Sequence, residues 1–134
     1  MNKRWMILLI ASVFLMGLPF RSFAAALYVI CNSELTITPD AVKGIFLGET
    51  QFSGSIKLEP TDNVAAQTDF LSKVMGMEKE KYDASWVKKS FRDGINPPQS
   101  SGSDMEIIEF IKQTPGGIGY VLTAPSGVKV IQQY

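Results

Sequence analysis

The side chains that could carry chemistry are few in this sequence of 134 residues. Glu106 and Glu109 lie three residues apart on a predicted helix, and a pair of carboxylates can perform general acid–base catalysis. They flank the apolar face of that helix, so we predict that both are solvated surface residues. The chain contains no histidine, which excludes a Ser-His-Asp site and zinc sites of the His and Cys type. The sequence therefore predicts that the protein is not an enzyme and that it has no catalytic residue, no metal site and no cofactor.

Two other features are typical of structure rather than of reactivity. Cys31 is the only cysteine, so an internal disulfide is excluded. Its position at the end of the apolar run 27–31 predicts a buried thiol that packs as a small hydrophobe. The glycine-rich residues 116–119 lead from a helix into a strand, whereas a dinucleotide-binding loop leads from a strand into a helix.

The helix, turn and strand over residues 103–122 give the clearest structural signal. Ser103 is a suitable N-cap, and Glu106 occupies the capping-box position three residues later. A Thr-Pro-Gly-Gly turn ends the helix. Residues 118–122 are strand formers, in which Gly119 indicates close approach of another backbone. A helix that leads into a buried strand is typical of an α/β layer. The apolar face of this helix consists of Ile107, Phe110 and Ile111.

The rest of the chain also alternates between strands and helices. We predict a first strand at residues 27–31, apolar on both faces, and a short strand at residues 56–59 that Pro60 ends. A final strand at residues 128–131 is predicted to form a hairpin with residues 118–122. Residues 93–103 predict a loop or an irregular edge. Predicted helices cover residues 39–47 (capped by Thr38), 63–75 (capped by Asp62 or Asn63) and 79–91, the last with Tyr82, Trp86 and Val87 on one side. The predicted core comprises Val29, Phe46, Phe70, Trp86, Ile118 and either Ile108 or Ile111.

The first 26 residues have the pattern of a secretory signal peptide. Lys3 and Arg4 precede an apolar run at residues 5–20, and small residues follow at positions 22–26. An uncleaved anchor is the alternative, but the apolar run is short for a spanning helix. We therefore predict a signal peptide at residues 1–26 and one domain at residues 27–134, periplasmic and without a membrane span after cleavage.

The predicted mature domain is weakly acidic. Lys3, Arg4 and Arg21 account for three of the 13 basic residues, and the signal segment holds none of the 13 acidic ones, so residues 27–134 carry a net charge of about −3. A weakly acidic domain without a basic cluster has no electrostatic footprint for nucleic acid.

Two segments resemble the phosphate-binding proteins of ABC transporters. GIFLG at residues 44–48 resembles their IFxG segment, and TPGGIGYV at residues 114–121 resembles their TPGxIGYV segment. The resemblance, over residues 27–123, implies an α/β fold: a single lobe of a type 2 periplasmic-binding-protein fold, with a central mixed sheet flanked by helices. Family members close two lobes on a ligand. Either a homodimer or another protein partner therefore completes the cleft of this chain, or the chain has lost ligand capture.

The family holds phosphate with an arginine and a Ser-Gly-Thr run at a helix N-terminus. Counted back from Phe70, the Ser-Gly-Thr positions fall on residues 64–66 (Val-Ala-Ala) and the arginine falls on Pro60. Asp62 adds a negative charge at the same place. The neutral polar side chains that remain there form the candidate site that the resemblance implies for a weakly bound small oxyanion: Thr61, Asn63 and Gln67. We predict a phosphate affinity no tighter than about millimolar.

The resemblance thus implies an exported solute-binding-protein-like domain that lacks the phosphate-binding side chains. The alternative is a non-catalytic protein-interaction module of an envelope assembly that reuses the fold. A purely structural remnant is a third interpretation. A polar, ligand-sized pocket favours the first, and an exposed apolar patch favours the second.

Overall fold

The computed structural model describes residues 26–134, so the predicted signal peptide, apart from Ala26, lies outside the described residues. The strands are β1 (Tyr28–Cys31), β2 (Phe52–Ser53), β3 (Ile56–Lys57), β4 (Glu59–Asn63), β5 (Gln99–Ser101), β6 (Gly117–Val121) and β7 (Lys129–Gln133). The helices are α1 (Val42–Phe46), α2 (Gln67–Phe70), α3 (Lys79–Asp93) and α4 (Asp104–Gln113). A 3-10 turn (Pro39–Ala41) precedes α1, and a π-helical segment (Leu71–Met75) continues α2.

One mixed sheet carries the fold, with the strand order β5-β4-β6-β1-β7. Strand β4 is parallel to both β5 and β6, and β1 is antiparallel to both β6 and β7. Strands β2 and β3 form a separate two-stranded hairpin. The prediction of an α/β fold with a central mixed sheet is confirmed, and β6 is its middle strand with β1 beside it.

The alternation of side chains along the strands builds two cores, one on each face of the sheet. On one face, Val29, Ile118 and Tyr120 pack with residues of α1, α2 and α3. On the other face, Ile30 and Val121 pack with Ile107 and Ile111 of α4. Helices therefore cover both faces, as expected for a sheet with a parallel part.

All the predicted core residues are buried, and Ile111 rather than Ile108 is the fully buried member of that pair. Cys31 is buried as predicted, and burial raises the pKa of its thiol. Phe46, Phe70 and Tyr120 form an aromatic cluster in which the rings of Phe70 and Tyr120 stack with centroids 3.9 Å apart. Val87 departs from its predicted side of α3, because its side chain is 64% exposed.

The pairing of the last strand was predicted wrongly. Strand β7 pairs with β1 and not with β6. Strand β6 already has β4 on one side and β1 on the other, so it has no free edge for a hairpin partner. Residues 122–128 instead carry the chain to the free edge of β1.

The predicted helix at residues 63–75 also starts later than expected. Strand β4 runs through Pro60 to Asn63, and α2 begins only at Gln67. Asn63 does make a cap-like bond, since its Oδ1 accepts from the Ala65 N–H at 3.1 Å. That bond closes a turn between strand and helix, because pairing with β5 keeps residues 61–63 extended.

Two motif glycines are explained by close packing. A Cβ atom on Gly116 would clash with the carbonyl oxygen of Lys57, where the neighbouring Glu59 N–H donates to Gly116 O. A Cβ atom on Gly119 would lie 2.9 Å from Ile107 Cγ2 and 3.3 Å from Thr61 O. The closest approach at Gly119 thus comes from a side chain of α4 rather than from another backbone.

Candidate binding site at the carboxyl edge of the sheet

The three parallel strands end side by side. Strands β4, β5 and β6 finish at Asn63, Ser101 and Val121. The chain leaves β4 through α2 and α3 on one face and leaves β5 through α4 on the other, so the connections diverge at this edge. Ligands of open α/β sheets bind outside the carboxyl ends of the strands at such a point.

The carboxylate of Asp104 occupies this edge. Ser103 caps α4 as predicted, with its hydroxyl oxygen accepting from the Glu106 N–H, and Asp104 is the first helical residue. Asp104 Oδ2 accepts from the Leu122 N–H at 3.1 Å, the Thr123 N–H at 3.0 Å and the Thr123 hydroxyl at 2.9 Å. We call these three donors the strand-end cradle. They are the kind of donors that hold an oxyanion, and here they hold a carboxylate of the chain itself.

Asn63 completes the arrangement and is fully buried. Its Nδ2 donates to Asp104 Oδ1 at 2.7 Å and to Tyr120 O at 3.1 Å. With its Oδ1 engaged by the Ala65 N–H, the amide has used both donors and one of its acceptor positions. Asn63 therefore holds Asp104 in place and has no donor left for a ligand.

The structure does not bring the three predicted site residues together. Thr61 and Asn63 point to the α4 face, because residues two apart share a face of a strand. The Thr61 hydroxyl oxygen is buried and has no hydrogen-bond partner within residues 26–134. Gln67, at the start of α2, instead lines a groove on the α3 face together with Asp62.

That groove, which we call the Asp62 groove, has a volume of about 660 Å³. It lies between α3 and the ends of β4 and β5. Asp62 and Tyr82 form its buried base, and its exposed rim includes Val64, Val87 and Phe91, whose side chains are 64%, 64% and 92% exposed. Such a set of exposed apolar side chains around a concave surface is typical of a binding region.

Asp62 is a buried carboxylate held by two phenols. The Tyr82 hydroxyl donates to Oδ2 and the Tyr120 hydroxyl donates to Oδ1, each at 2.8 Å. Burial raises the pKa of Asp62 above its usual range, although both hydroxyls oppose this shift. The pKa values of Tyr82 and Tyr120 are raised as well, first by burial and then by the nearby Asp62 charge, so both phenols remain donors at neutral pH.

The described residues offer no cluster for a metal ion. No group of three or more His, Cys, Asp or Glu side chains between residues 26 and 134 has suitable geometry. Glu106 and Glu109 are exposed on α4, as predicted: Glu106 accepts from the Gly102 N–H, and Glu109 pairs with Lys112 at 3.8 Å.

Neither a scan against protein-family models nor a search of curated proteins finds a match. A search of solved structures finds an ABC-type phosphate transport receptor from Vibrio cholerae, with a TM-score of 0.60 and 18% sequence identity. The fold is that of one lobe of a type 2 periplasmic binding protein. The likeness covers 81% of this chain and 46% of the receptor, so the chain spans about half the receptor's length.

Two residues that make these contacts are not identified as site residues from the sequence. Asp104 belongs to the start of the predicted helix, and Tyr120 belongs to the motif at residues 114–121 and to the predicted strand at residues 118–122. The sequence marks Asp104 only as an acidic residue in the first turn of α4, where the helix dipole favours a negative charge. Nothing local in the sequence indicates that Tyr120 meets Asp62, since 58 residues separate the two.

No helix in residues 26–134 is both long enough and apolar enough to cross a membrane.

Proposed function

We propose that this chain is an exported, non-catalytic binding domain of the solute-binding-protein type that does not hold phosphate tightly. The observation that carries the proposal is the strand-end cradle, whose donors are already taken by Asp104. An incoming oxyanion would have to displace this carboxylate or lie beside it, and like charges at hydrogen-bonding distance repel. The α/β lobe supports a binding role, and its fold is shared with a transport receptor.

The side chains at the start of α2 support the same conclusion. Residues 64–66 are Val-Ala-Ala and supply no side-chain donor. Thr61 faces away from this helix start. Both side-chain N–H donors of Asn63 already bind Asp104 and Tyr120. Only Gln67 and backbone N–H groups remain, without the bidentate arginine contact that strengthens oxyanion binding. We therefore keep the expectation of a phosphate affinity no tighter than about millimolar, which is about −4 kcal/mol.

Calorimetric titration of the purified mature protein with inorganic phosphate tests this proposal. The monomer is first separated from any dimer by size-exclusion chromatography. We expect no saturation below about millimolar phosphate in the monomer. Micromolar affinity in the monomer would overturn the proposal, and micromolar affinity confined to a dimer would mean that a second copy completes the site.

Export to the periplasm is the second part of the proposal. It is supported by the charged and apolar segments before residue 22 and by the small residues at positions 22–26. Leu27 is a plausible domain start, because its N–H donates to Tyr134 O at 3.1 Å and its carbonyl accepts from the Tyr134 N–H at 2.8 Å. Mass spectrometry of the native protein should find an N-terminus between Ala25 and Leu27. An intact Met1 in the purified native protein would contradict export with cleavage.

A protein-interaction module is the second candidate function, and the exposed apolar rim of the Asp62 groove favours it. Val64, Val87 and Phe91 would lose water-exposed apolar area in a complex. If a second copy covers this rim, sedimentation should show a dimer that Phe91→Asp dissociates. A monomer at all concentrations would exclude the homodimer.

A further inference from the structure

We propose that the Asp62 groove binds an organic cation, with an ammonium or guanidinium head at Asp62 and an apolar body along Val87 and Phe91. This inference rests on the proposed binding role but concerns a different site. Asp62 lies on the α3 face of β4, whereas Asn63 and Asp104 lie toward α4.

The base of the groove has the polar chemistry for a cationic head. Both carboxylate oxygens of Asp62 are fixed by phenolic donors at 2.8 Å. Each oxygen of an ionised carboxylate has two accepting positions, so each retains one position after its tyrosine bond. Tyr82 is itself a wall of the groove, and Trp86 beside it is anchored by its indole N–H, which donates to Phe46 O at 3.0 Å. The carboxylate therefore faces the groove from a rigid base.

The charges around the groove leave Asp62 without a direct ion pair, although the charge of Lys79 acts on it from a distance. The charged residues that line it are Asp62, Lys79 and Asp83. Lys79 pairs with Asp83 at 2.7 Å near the rim, where both side chains are more than half exposed. None of the salt bridges described within residues 26–134 involves Asp62. The residues that line the groove therefore carry a net charge of −1 when Asp62 is ionised, and the unpaired negative charge is on the buried Asp62.

The walls of the groove determine the rest of the ligand. Apolar and ring-bearing side chains border the space between Asp62 and solvent: Val64, Val87, Phe91, Pro97 and Pro98. An inorganic cation would leave the apolar walls exposed to solvent, and an anion would be repelled by the negative charge of Asp62. A cation with an apolar body satisfies both parts, because it neutralises a desolvated carboxylate and buries exposed apolar surface. Burial raises the pKa of Asp62 more than the tyrosine hydroxyls and the charge of Lys79 lower it, which agrees with a carboxylate that has no ion-pair partner in direct contact.

Three probes that share one ring test this proposal: benzylamine, benzyl alcohol and benzoate. Each is titrated into the purified mature protein and followed by amide chemical shifts. We expect benzylamine to bind at least about tenfold more tightly than benzyl alcohol, and benzoate to give no saturable shift. The shifted amides should cluster around Asp62, Tyr82 and Phe91. Equal affinity for the amine and the alcohol, or shifts centred on Asp104, would overturn the proposal.

Asp62→Asn and Asp69→Asn form a matched pair, because each removes one negative charge and Asp69 lies on α2 outside the groove walls. Asp62→Asn should bring the benzylamine affinity to within about twofold of that for benzyl alcohol, while Asp69→Asn should keep the tenfold preference. Retained preference in a folded Asp62→Asn protein would overturn the proposal. If that variant does not fold, the three-probe series on the wild-type protein decides alone. The outcome is independent of the phosphate titration, so the two proposals fail separately.

Discussion

Removal of the Asp104 carboxylate should destabilise the protein far more than an ordinary charge change in the first turn of a helix. The substitution Asp104→Ala deletes the acceptor of four hydrogen bonds, at 2.7 Å from Asn63 Nδ2, 3.1 Å from the Leu122 N–H, 3.0 Å from the Thr123 N–H and 2.9 Å from the Thr123 hydroxyl. Water can replace the carboxylate at Thr123, which is exposed, but not at the Asn63 amide, which is fully buried.

The expected loss of unfolding free energy follows from which of the four donors are buried and which are exposed. A hydrogen bond to a charged group contributes about 1.5–3 kcal/mol when it is sheltered, and a donor that water can reach loses much less. We assign about 1.5 kcal/mol to the buried Asn63 donor and about 0.5 kcal/mol to each of the Leu122 and Thr123 donors, which water can reach. The free energy of unfolding should therefore fall by about 3 kcal/mol, which corresponds to a fall in Tm on the order of 10 °C.

Urea denaturation of the wild type, Asp104→Ala and Glu106→Ala measures this effect. Glu106 is the control, because it also lies in the first turn of α4 but accepts only the exposed Gly102 N–H. Both substitutions remove the same favourable interaction with the helix dipole. A loss below about 1 kcal/mol for Asp104→Ala, or a loss equal to that of Glu106→Ala, would refute the reasoning.

Three further predictions concern the core and its buried acid. Trp86→Ala should cost about 3–5 kcal/mol, because Trp86 is 5% exposed and its indole bond to Phe46 O would be lost; an unchanged Tm would contradict its core role. Gly116→Ala should lower Tm strongly, since its Cβ would strike Lys57 O, and Gly102→Ala is the control because a Cβ there meets nothing within 4 Å. The raised pKa of Asp62 means that the folded state keeps this proton at pH values where the unfolded chain, with the ordinary value of 3.8, has lost it. The contribution of Asp62 to stability should therefore be complete below pH 3.8 and fall as the pH rises through its raised folded value. Denaturation of Asp62→Asn across the same pH range should lack this fall, and identical pH profiles would contradict the assignment.

The sequence was most informative where local signals agreed with one another. The N-cap at Ser103, the helical period of Ile107 and Ile111, and the Pro-Gly-Gly stop together predicted α4 and β6, because each signal acts within a few residues. The fold resemblance depended partly on this segment and partly on residues 44–48, and it is confirmed by a structural likeness over 81% of the chain.

Long-range pairing accounts for what the sequence did not reveal. The partner of β7 depends on which strand edges are already occupied, and the extension of β4 through Asn63 depends on neighbours that lie far away in the chain. Asn63 does accept a cap-like hydrogen bond from the Ala65 N–H, which ordinarily marks a helix start. Here strand pairing keeps Asn63 in β4 instead. The Asp62–Tyr120 and Asn63–Asp104 contacts join residues 58 and 41 positions apart, so no local pattern could indicate them.

The central claim is that the carboxylate of Asp104 occupies the donors of the strand-end cradle, so that an oxyanion cannot use them. The most direct test is a parallel phosphate titration of the wild-type protein and a folded Asp104→Ala protein under identical salt. In the variant, the Leu122 and Thr123 donors are free and one repelling charge is absent. We predict affinity no tighter than about millimolar for the wild type and at least about tenfold tighter binding for the variant. Micromolar binding by the wild type, or no gain in the variant, would contradict the claim.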